Sequence, residues 1–180
     1  MPEITGCDVV YSTPWFKLLA KTVQGSVSDG TYYALQPSDY VTVLAVTPQQ
    51  QILLVRQYRP AVETYTLEFP SGNVDPGETP EQSIRRELIE ETGYQATDLE
   101  LLGFLKPDTG RLANNLWCYF APNVQPHPAN LPPEAGIELV LYTPAELGQA
   151  LREGRLDHAL HLAILCLAFI KQKLPMTFLF

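Results

Sequence analysis

The chain has 180 residues, of which 46% are hydrophobic and 18% are charged, so it can bury one sizeable core and is too apolar to be disordered. Its net charge of −8 and isoelectric point near 4.8 argue against a nucleic acid as the main partner, because phosphate contacts need clustered Lys and Arg. We therefore expect one globular domain, with at most a small extension.

The cysteines and the apolar segments predict a cytoplasmic protein. Cys7, Cys118 and Cys166 are far apart and offer no zinc-binding pattern, which suits core residues in a reducing compartment. No secretory signal opens the chain, and the longest apolar run, residues 159–170, is too short to span a membrane. Neither a membrane nor a nucleic acid is expected as a partner.

Along the chain, strands and helices alternate as in α/β proteins. Apolar runs and alternating patterns predict strands at residues 15–23, 31–36, 40–47, 51–58, 64–69, 99–106, 115–121 and 137–143. The Pro-rich stretch 122–136 predicts a loop, and helices are predicted at 144–153 and 156–172. The apolar tail 176–180 is expected to dock on the core or on a partner.

A further helix is predicted in the segment GETPEQSIRRELIEETGY, residues 77–94. Thr79 offers an N-cap hydroxyl, and Gln82 lies three residues later, as a capping box requires. Gly93 supplies a C′ residue that tolerates positive φ. The helix should therefore run over residues 79–92.

Three glutamates, Glu87, Glu90 and Glu91, crowd one arc of this helix beside an apolar stripe of Ile84 and Leu88. Like charges at these spacings destabilise a helix by a few tenths of a kcal/mol per pair, so something cationic should offset them. One interpretation is a solvated face that pairs with the neighbouring arginines. The other is a site for a hard divalent cation, which requires clustered carboxylates.

The wider spacing carries a family pattern. From Gly72, five residues lead to Glu78, and seven more lead to RELIEETGY at residues 86–94. This resembles the Nudix box, GX5EX7REUXEEXGU with U an apolar residue, at all seven fixed positions. The one soft departure is the aromatic Tyr94 at the last apolar position. The resemblance implies an α/β fold of the Nudix type, an α/β/α sandwich around a mixed sheet.

A second resemblance lies before and within the box. Residues 53–78, LLVRQYRPAVETYTLEFPSGNVDPGE, are similar to the ADP-sugar branch of the Nudix family, as is the region around Trp15 and Tyr33. This branch implies a small N-terminal antiparallel β extension, residues 1–37, before a hydrolase domain, residues 38–180. It also implies a homodimer whose N-terminal strands are exchanged between subunits.

The family resemblance implies a site for Mg²⁺, with Mn²⁺ as the alternative ion. Glu87, Glu90 and Glu91, together with the backbone carbonyl of Ser71, match the metal-binding positions. The positions with supporting roles are Gly72, Glu78 and Arg86. His127, His158 and His161 show no metal-binding spacing.

A general base must take the proton of the attacking water. Glu134 in the Pro-rich segment is the candidate that the ADP-sugar branch suggests, and Glu138 lies nearby. Glu90 or Glu91 of the box could perform the same step, so the catalytic candidates are Glu91, Glu90 and Glu134.

Substrate contacts are implied at four positions. Trp15 and Tyr33 match aromatic residues that stack on adenine from the partner subunit, although a Trp on a strand is more often a core residue. Arg59 and Glu68 match positions that touch the phosphate or the terminal ribose. The other interpretation of Arg59 is a surface charge at a strand end.

The implied activity is Mg²⁺-dependent hydrolysis of the diphosphate bridge in ADP-ribose or a related nucleoside diphosphate sugar, giving AMP and a sugar phosphate. Residues 105–115, LKPDTGRLANN, depart from the pattern of many bacterial relatives, which leaves ADP-glucose and other nucleotide sugars open. One alternative is a Nudix pyrophosphatase for a nucleoside triphosphate, dinucleotide or coenzyme. A non-catalytic nucleotide sensor is disfavoured, because such modules lose box glutamates that this chain keeps.

Overall fold

The computed structural model describes residues 1–25 and 29–175. The expected docking of the apolar tail at 176–180 therefore lies outside the described residues. The described strands are β1 Glu3–Ser12, β2 Phe16–Gln24, β3 Gly30–Pro37, β4 Tyr40–Ala45, β5 Ile52–Arg59, β6 Thr64–Glu68, β7 Ser71–Asn73, β8 Tyr94–Gln95, β9 Glu100–Leu105, β10 Leu116–Ala121, β11 Gln125–Pro126 and β12 Ile137–Tyr142. The helices are α1 Pro80–Thr92, α2 Pro144–Arg152 and α3 Ala159–Ile170.

The first three strands form an antiparallel sheet of their own, in the order β1-β2-β3. One link to the rest of the chain is a bridge in which the Leu35 amide donates to the Arg111 carbonyl at 2.8 Å and the Ala113 amide donates to the Leu35 carbonyl at 2.9 Å. The sequence analysis did not predict strand β1. Almost all of its residues are exposed, so there is no buried face to produce an alternation of apolar and polar residues. The division of the chain at residue 37 stays a prediction.

Two further sheets make up the centre of the fold. One has the order β7-β4-β10-β9 and is mixed, because β4 and β10 are parallel while the outer pairs are antiparallel. The other is antiparallel, in the order β12-β5-β6. The predicted loop 122–136 contains a short strand, β11, which pairs with β8 directly after α1.

Both central sheets lie between helical layers. On β4, Val41 and Val43 pack with Ile84 and Leu88 of α1, whereas Leu44 packs with residues of α2 and α3. Successive side chains of a strand point to opposite faces of the sheet. Because helices cover both faces of β4, its side chains are mostly apolar on each face. The expected α/β/α sandwich is confirmed.

Helix α1 begins and ends as predicted. The Thr79 hydroxyl accepts from the Gln82 amide and the Gln82 side chain accepts from the Thr79 amide, which completes the capping box. Gly93 ends the helix with φ of 71° and donates its amide to the Ile89 carbonyl. Helix α3 begins at Ala159 rather than at the predicted residue 156, and its N-cap is His158.

The free cysteines only partly follow the expectation of core residues. Cys118 is buried in β10, whereas Cys7 on β1 and Cys166 on α3 are exposed. Cys7 lies on the exposed N-terminal sheet and Cys166 on the outer face of its helix, which their spacing did not reveal. No helix in the described part of the chain is both long and apolar enough to cross a membrane.

Candidate active site

Strand β7 and helix α1 approach each other closely at Gly72. A Cβ atom at this position would lie 2.1 Å from Cδ of Glu87, a distance that no real Cβ contact has. In this arrangement the Glu87 carboxylate occupies the space that a side chain at position 72 would fill, so a larger residue there would displace the carboxylate or the strand. The structure places two of the predicted site residues, Gly72 and Glu87, against each other across two elements.

Glu91 lies one turn further along α1 and is only 4% exposed. Its Oε2 atom accepts a hydrogen bond from the Ser71 amide at 2.8 Å. The Ser71 hydroxyl oxygen accepts in turn from the Tyr40 hydroxyl at 2.7 Å. These bonds fix the carboxylate between α1 and the start of β7.

Arg86 draws four carboxylates around one guanidinium group. Its nitrogen atoms lie 3.3 Å from Asp75, 3.2 Å from Glu78, 2.8 Å from Glu87 and 2.9 Å from Glu90. Hydrogen bonds to Glu78 are the main reason why the pKa of Arg86 is raised above its ordinary value. Arg86 thus holds the more exposed carboxylates of the box in place, and provides the cation that the crowded helix face requires.

Burial acts on the two carboxylates nearest to β7, Glu91 and Glu87. Burial raises the pKa of Glu91 to about 8, despite the hydrogen bond from the Ser71 amide, and the nearby charge of Glu87 adds to the rise. Burial also raises the pKa of Glu87, although Arg86 opposes this. Buried carboxylates that resist ionisation in the bare protein are suited to a bound cation, which would favour their charged forms.

The chemistry of these donors fits a hard divalent ion. Carboxylate oxygens are ligands that Mg²⁺ and Mn²⁺ take, and β7 brings two carboxylates together, because Gly72 lies against Glu87 and the amide of the neighbouring Ser71 binds Glu91. Glu90 is about half exposed and paired with Arg86, so it would contact a bound ion from the outer edge of the site.

The predicted base, Glu134, lies at the end of α1. Its amide donates to the Glu90 carbonyl at 2.8 Å, and the His127 amide donates to the Gly93 carbonyl at 2.8 Å. At Gly93, a Cβ atom would meet the Leu131 carbonyl oxygen at 2.3 Å, so glycine permits the loop to pack on the helix end. The Pro-rich loop is therefore anchored on the box helix.

A cavity of about 440 Å³ separates this loop from α1, and Glu90, Leu131 and Glu134 contribute to its lining. Glu138, the other carboxylate considered as a base, lies on β12 and pairs with Arg56 at 3.2 Å. The structure thus brings Glu134, and not Glu138, to the helix that carries the box glutamates.

Arg59 and Glu68 form an ion pair at the end of the β5–β6 hairpin. Two guanidinium nitrogens of Arg59 donate to the two carboxylate oxygens of Glu68 at 2.8 and 2.6 Å, and Thr66 donates a third bond at 2.5 Å. Burial acts to raise the pKa of Glu68, but these hydrogen bonds outweigh it and lower the pKa to about 2. Glu68, at 1% exposed, is therefore a buried anion, and Arg59 is not a simple surface charge.

Trp15 and Tyr33 lie on the N-terminal sheet, apart from the elements that carry the box. Trp15 is 77% exposed at the turn before β2, and Tyr33 is 59% exposed on β3. The interpretation of Trp15 as a core residue is wrong for this chain. Both rings are free to meet a ligand or another subunit.

Sequence reasoning missed a polar cluster that α3 brings to the hairpin. One ligand atom from each of Glu68, His158 and His161 lies within 4.8 Å of the others. The helical spacing of the two histidines is visible in the sequence, but their approach to Glu68 is a tertiary contact between residues about 90 positions apart. The expectation that these histidines take no part in a cation-sized cluster was therefore incomplete.

The comparisons with known proteins agree with this geometry. Residues 37–162 match the family model described as NUDIX domain. A methanol dehydrogenase activator from Bacillus methanolicus is 31% identical over 118 residues, which are 64% of this chain and 64% of that protein. An ADP-ribose pyrophosphatase from Bacillus subtilis (strain 168) is 48% identical over 59 residues, which are 33% of this chain and 32% of that protein. The matched segments thus span less than two thirds of either relative.

Among solved structures, the crystal structure of an ADP compounds hydrolase is similar over 96% of this chain and 94% of that chain, with a TM-score of 0.80. The sequence identity is 22%, so this likeness shows the fold. The family match covers more than half of the 180 residues, and the chain therefore belongs to the NUDIX domain family.

Proposed function

We propose that this protein hydrolyses the diphosphate bridge of ADP-ribose or a related nucleoside diphosphate sugar, with Mg²⁺ as its cofactor, to AMP and a sugar phosphate. The observation that carries the proposal is the pair of the partly buried Glu87 and the buried Glu91 at the contact of α1 with β7. Both carboxylates have raised pKa values because they are buried. Burial of two like charges is expensive unless a cation completes the site.

The residues that would hold the metal are Glu87, Glu91 and the backbone of Ser71, with Glu90 at the rim. When bound, Mg²⁺ or Mn²⁺ neutralises the charge on the diphosphate oxygens and acidifies the attacking water. Arg86 keeps Glu87 and Glu90 in fixed orientations through bonds of 2.8 and 2.9 Å. The Ser71 amide does the same for Glu91.

Glu134 would accept the proton of the attacking water. Hydrolysis forms one new P–O bond from water and breaks the P–O bond of the bridge, and the leaving phosphate carries away the bonding electron pair. The backbone of the loop with Glu134 is anchored to the carbonyls of Glu90 and Gly93, at the end of the helix that carries the metal ligands. A base fixed near the reacting water accelerates such a step by about 10²- to 10⁴-fold.

Other substrate contacts are proposed at Arg59, Trp15 and Tyr33. Arg59, held by Glu68, is positioned for a phosphate or the terminal ribose. Trp15 and Tyr33 are exposed aromatic rings that suit adenine stacking across a homodimer. Support for a homodimer comes from the N-terminal sheet, whose exposed apolar residues include Ile4 and Val9. The three free cysteines suit the cytoplasm.

Product analysis across a nucleotide panel tests this proposal. The purified chain is incubated with Mg²⁺ and ADP-ribose, ADP-glucose, a nucleoside triphosphate or a dinucleotide, and the products are separated by anion-exchange chromatography. We expect AMP and ribose 5-phosphate from ADP-ribose, and no turnover in the presence of EDTA. Turnover of the triphosphate alone would assign another Nudix activity, and binding of ADP-ribose without turnover would indicate a sensor.

A further inference from the structure

Residues 69–71, called the junction below, lead from β6 into β7. The junction ends at Ser71, whose amide donates to the Glu91 carboxylate at 2.8 Å. The Ser71 hydroxyl accepts a hydrogen bond from Tyr40 at 2.7 Å. The position of the junction therefore determines how the backbone at Ser71 meets the candidate metal site.

The backbone of the junction is held from three directions. The Phe69 amide donates to Nδ1 of His161 on α3 at 3.1 Å. The Pro70 carbonyl accepts from the Val43 amide of β4 at 3.0 Å, and the Ser71 amide donates to α1. Because proline has no amide hydrogen, Phe69 and Ser71 supply the two backbone donors of the junction. One of these donors is bound by α1 and the other by α3.

His161 holds the junction from the far side of the central sheets. It is fully buried in the layer of α2 and α3, whereas the box carboxylates lie on α1 in the other layer. Its imidazole packs against the rings of Phe69 and His158, with centroids 5.7 and 4.3 Å away. The direct connection from His161 to the metal site is therefore the Phe69 amide, two residues before Ser71.

A histidine is unusual in the composition of α3. Every other side chain of this helix belongs to Ala, Leu, Ile, Cys or Phe. A leucine at position 161 would suit such a helix, but it would leave the Phe69 amide without an acceptor, and a buried amide that lacks a partner destabilises the fold. The imidazole supplies the acceptor at this point.

We propose that His161 is a positioning residue for the metal site, which holds the junction so that the Ser71 amide meets the Glu91 carboxylate. The inference rests on the proposed function, since it takes Glu91 as a ligand of the cation. It adds a contribution from α3, a helix that carries no residue of the box. Without the Nδ1 acceptor, the Phe69 amide is released and the junction holds Glu91 less firmly. The affinity for the metal then falls although every ligand is kept.

The test moves the acceptor atom by one carbon. In His161→Asn the side-chain oxygen is attached to Cγ, as Nδ1 is in histidine, so the bond to the Phe69 amide is kept. In His161→Gln the amide group lies one carbon further from the helix, and the Phe69 amide loses its acceptor. Both variants are polar and uncharged. Ile164→Val, a conservative change of a fully buried residue on the same helix, is the matched control for lost packing.

Calorimetric titration of Mn²⁺ into the substrate-free protein measures the metal affinity, and urea unfolding measures the stability. We expect His161→Gln to weaken Mn²⁺ binding about tenfold, and His161→Asn to stay within about twofold of the wild type. Ile164→Val should lower the free energy of unfolding and leave the Mn²⁺ affinity unchanged. With ADP-ribose, the Mg²⁺ concentration for half-maximal activity should rise in His161→Gln by a similar factor, while KM at saturating Mg²⁺ stays the same.

Equal Mn²⁺ affinities in His161→Gln and the wild type would overturn the proposal, because His161 would then only stabilise the fold. Equal losses of affinity in His161→Gln and His161→Asn, or in His161→Gln and Ile164→Val, would also overturn it, because the lost hydrogen bond would not be the cause. Should His161→Gln fail to fold by circular dichroism, His161→Leu takes its place in the same comparison, since it also lacks the acceptor.

A wild type that binds no Mn²⁺ would count against the proposed function. In that case, hydrogen exchange at the Ser71 amide, measured by NMR in EDTA, decides the positioning role separately. This amide should exchange about tenfold faster in His161→Gln than in the wild type, and at the wild-type rate in His161→Asn. Exchange at the same rate in His161→Gln and the wild type would refute the role of His161.

Discussion

Glu91 and Ser71 are 20 positions apart in the chain, yet the Glu91 carboxylate accepts the Ser71 amide at 2.8 Å in an environment that excludes water. One amide is not enough to stabilise the ionised form, since burial still raises the pKa of Glu91 to about 8. Without a bound cation, the burial of the Glu91 carboxylate therefore destabilises the folded protein. Function and stability oppose each other at this residue.

Replacement of Glu91 by Gln should stabilise the metal-free protein at high pH. The pKa of Glu91 is about 8 in the folded protein and 4.5 for an ordinary Glu. Between these pH values the folded state binds a proton that the unfolded state has lost, so the free energy of unfolding falls as pH rises from about 4.5 to 8. Gln does not titrate, and its gain at pH 8.5 should be on the order of 4 to 5 kcal/mol. Urea unfolding with EDTA measures it.

Addition of Mg²⁺ provides the control for that experiment. The ion should raise the unfolding midpoint of the wild type, because it binds the folded site, and should have little effect on Glu91→Gln. If the wild type is more stable than Glu91→Gln at pH 8.5 without metal, burial of the ionised Glu91 does not destabilise the folded protein.

Substitution of Gly72 by Ala should displace the Glu87 carboxylate. The new Cβ atom would lie 2.1 Å from Glu87 Cδ, so either the side chain or β7 must move. We expect the Mg²⁺ concentration for half-maximal activity to rise about tenfold or more, because a ligand of the ion is misplaced. Gly6→Ala is the control, since its Cβ atom would approach only the Thr22 side chain, at 3.3 Å. Equal Mg²⁺ dependence in both variants would contradict the prediction.

The assignment of the base is tested by two parallel substitutions. Glu134→Gln should lower kcat by about 10²-fold or more with little change in KM, because proton transfer is lost while binding is kept. Glu138→Gln, which alters an exposed carboxylate paired with Arg56, should leave kcat within a few-fold. A loss of kcat in Glu138→Gln but not in Glu134→Gln would assign the general base to Glu138. If neither variant loses kcat, a glutamate of the box must accept the proton of the attacking water.

The buried His161 predicts a loss of stability in acid. Burial lowers the pKa of His161 to about 3, with a smaller contribution from the charge of His158, whereas an unfolded His titrates near 6.5. Between these values the unfolded chain binds the extra proton, so stability falls as pH decreases from about 6.5 to 3.

His161→Asn should reduce this pH dependence, because Asn can still accept the Phe69 amide and does not titrate. The slope of the unfolding free energy between pH 6 and 4 should be smaller by up to about 1.4 kcal/mol per pH unit. Urea titrations at several pH values measure it, and equal slopes in the two proteins would show that His161 is not held neutral.

The box helix was predictable because its signals are local. Thr79, Gln82 and Gly93 determine where α1 begins and ends through bonds within a few residues, and Ile84 and Leu88 repeat at helical spacing. The apolar residues Val41, Val43, Leu44 and Ala45 likewise indicated the strand β4. In each case, neighbours in the sequence are neighbours in space.

The rest depends on contacts between distant residues. Strand β1 has no buried face, so its pattern carries no period of two. The cluster of Glu68, His158 and His161 forms only when α3 packs behind the β5–β6 hairpin. The Glu87 carboxylate occupies space that is open because Gly72 has no side chain. This relationship is visible only in the packing of β7 against α1.

The most direct test of the whole account is the rate of Mg²⁺-dependent ADP-ribose hydrolysis by the wild type and by Glu91→Gln, with AMP quantified at pH 8.5. We expect the substitution to lower kcat/KM by at least about 10²-fold, while circular dichroism shows an unchanged fold. Hydrolysis at the same rate in both proteins would contradict it, because the cation would then have to act without the carboxylate that the fold buries for it.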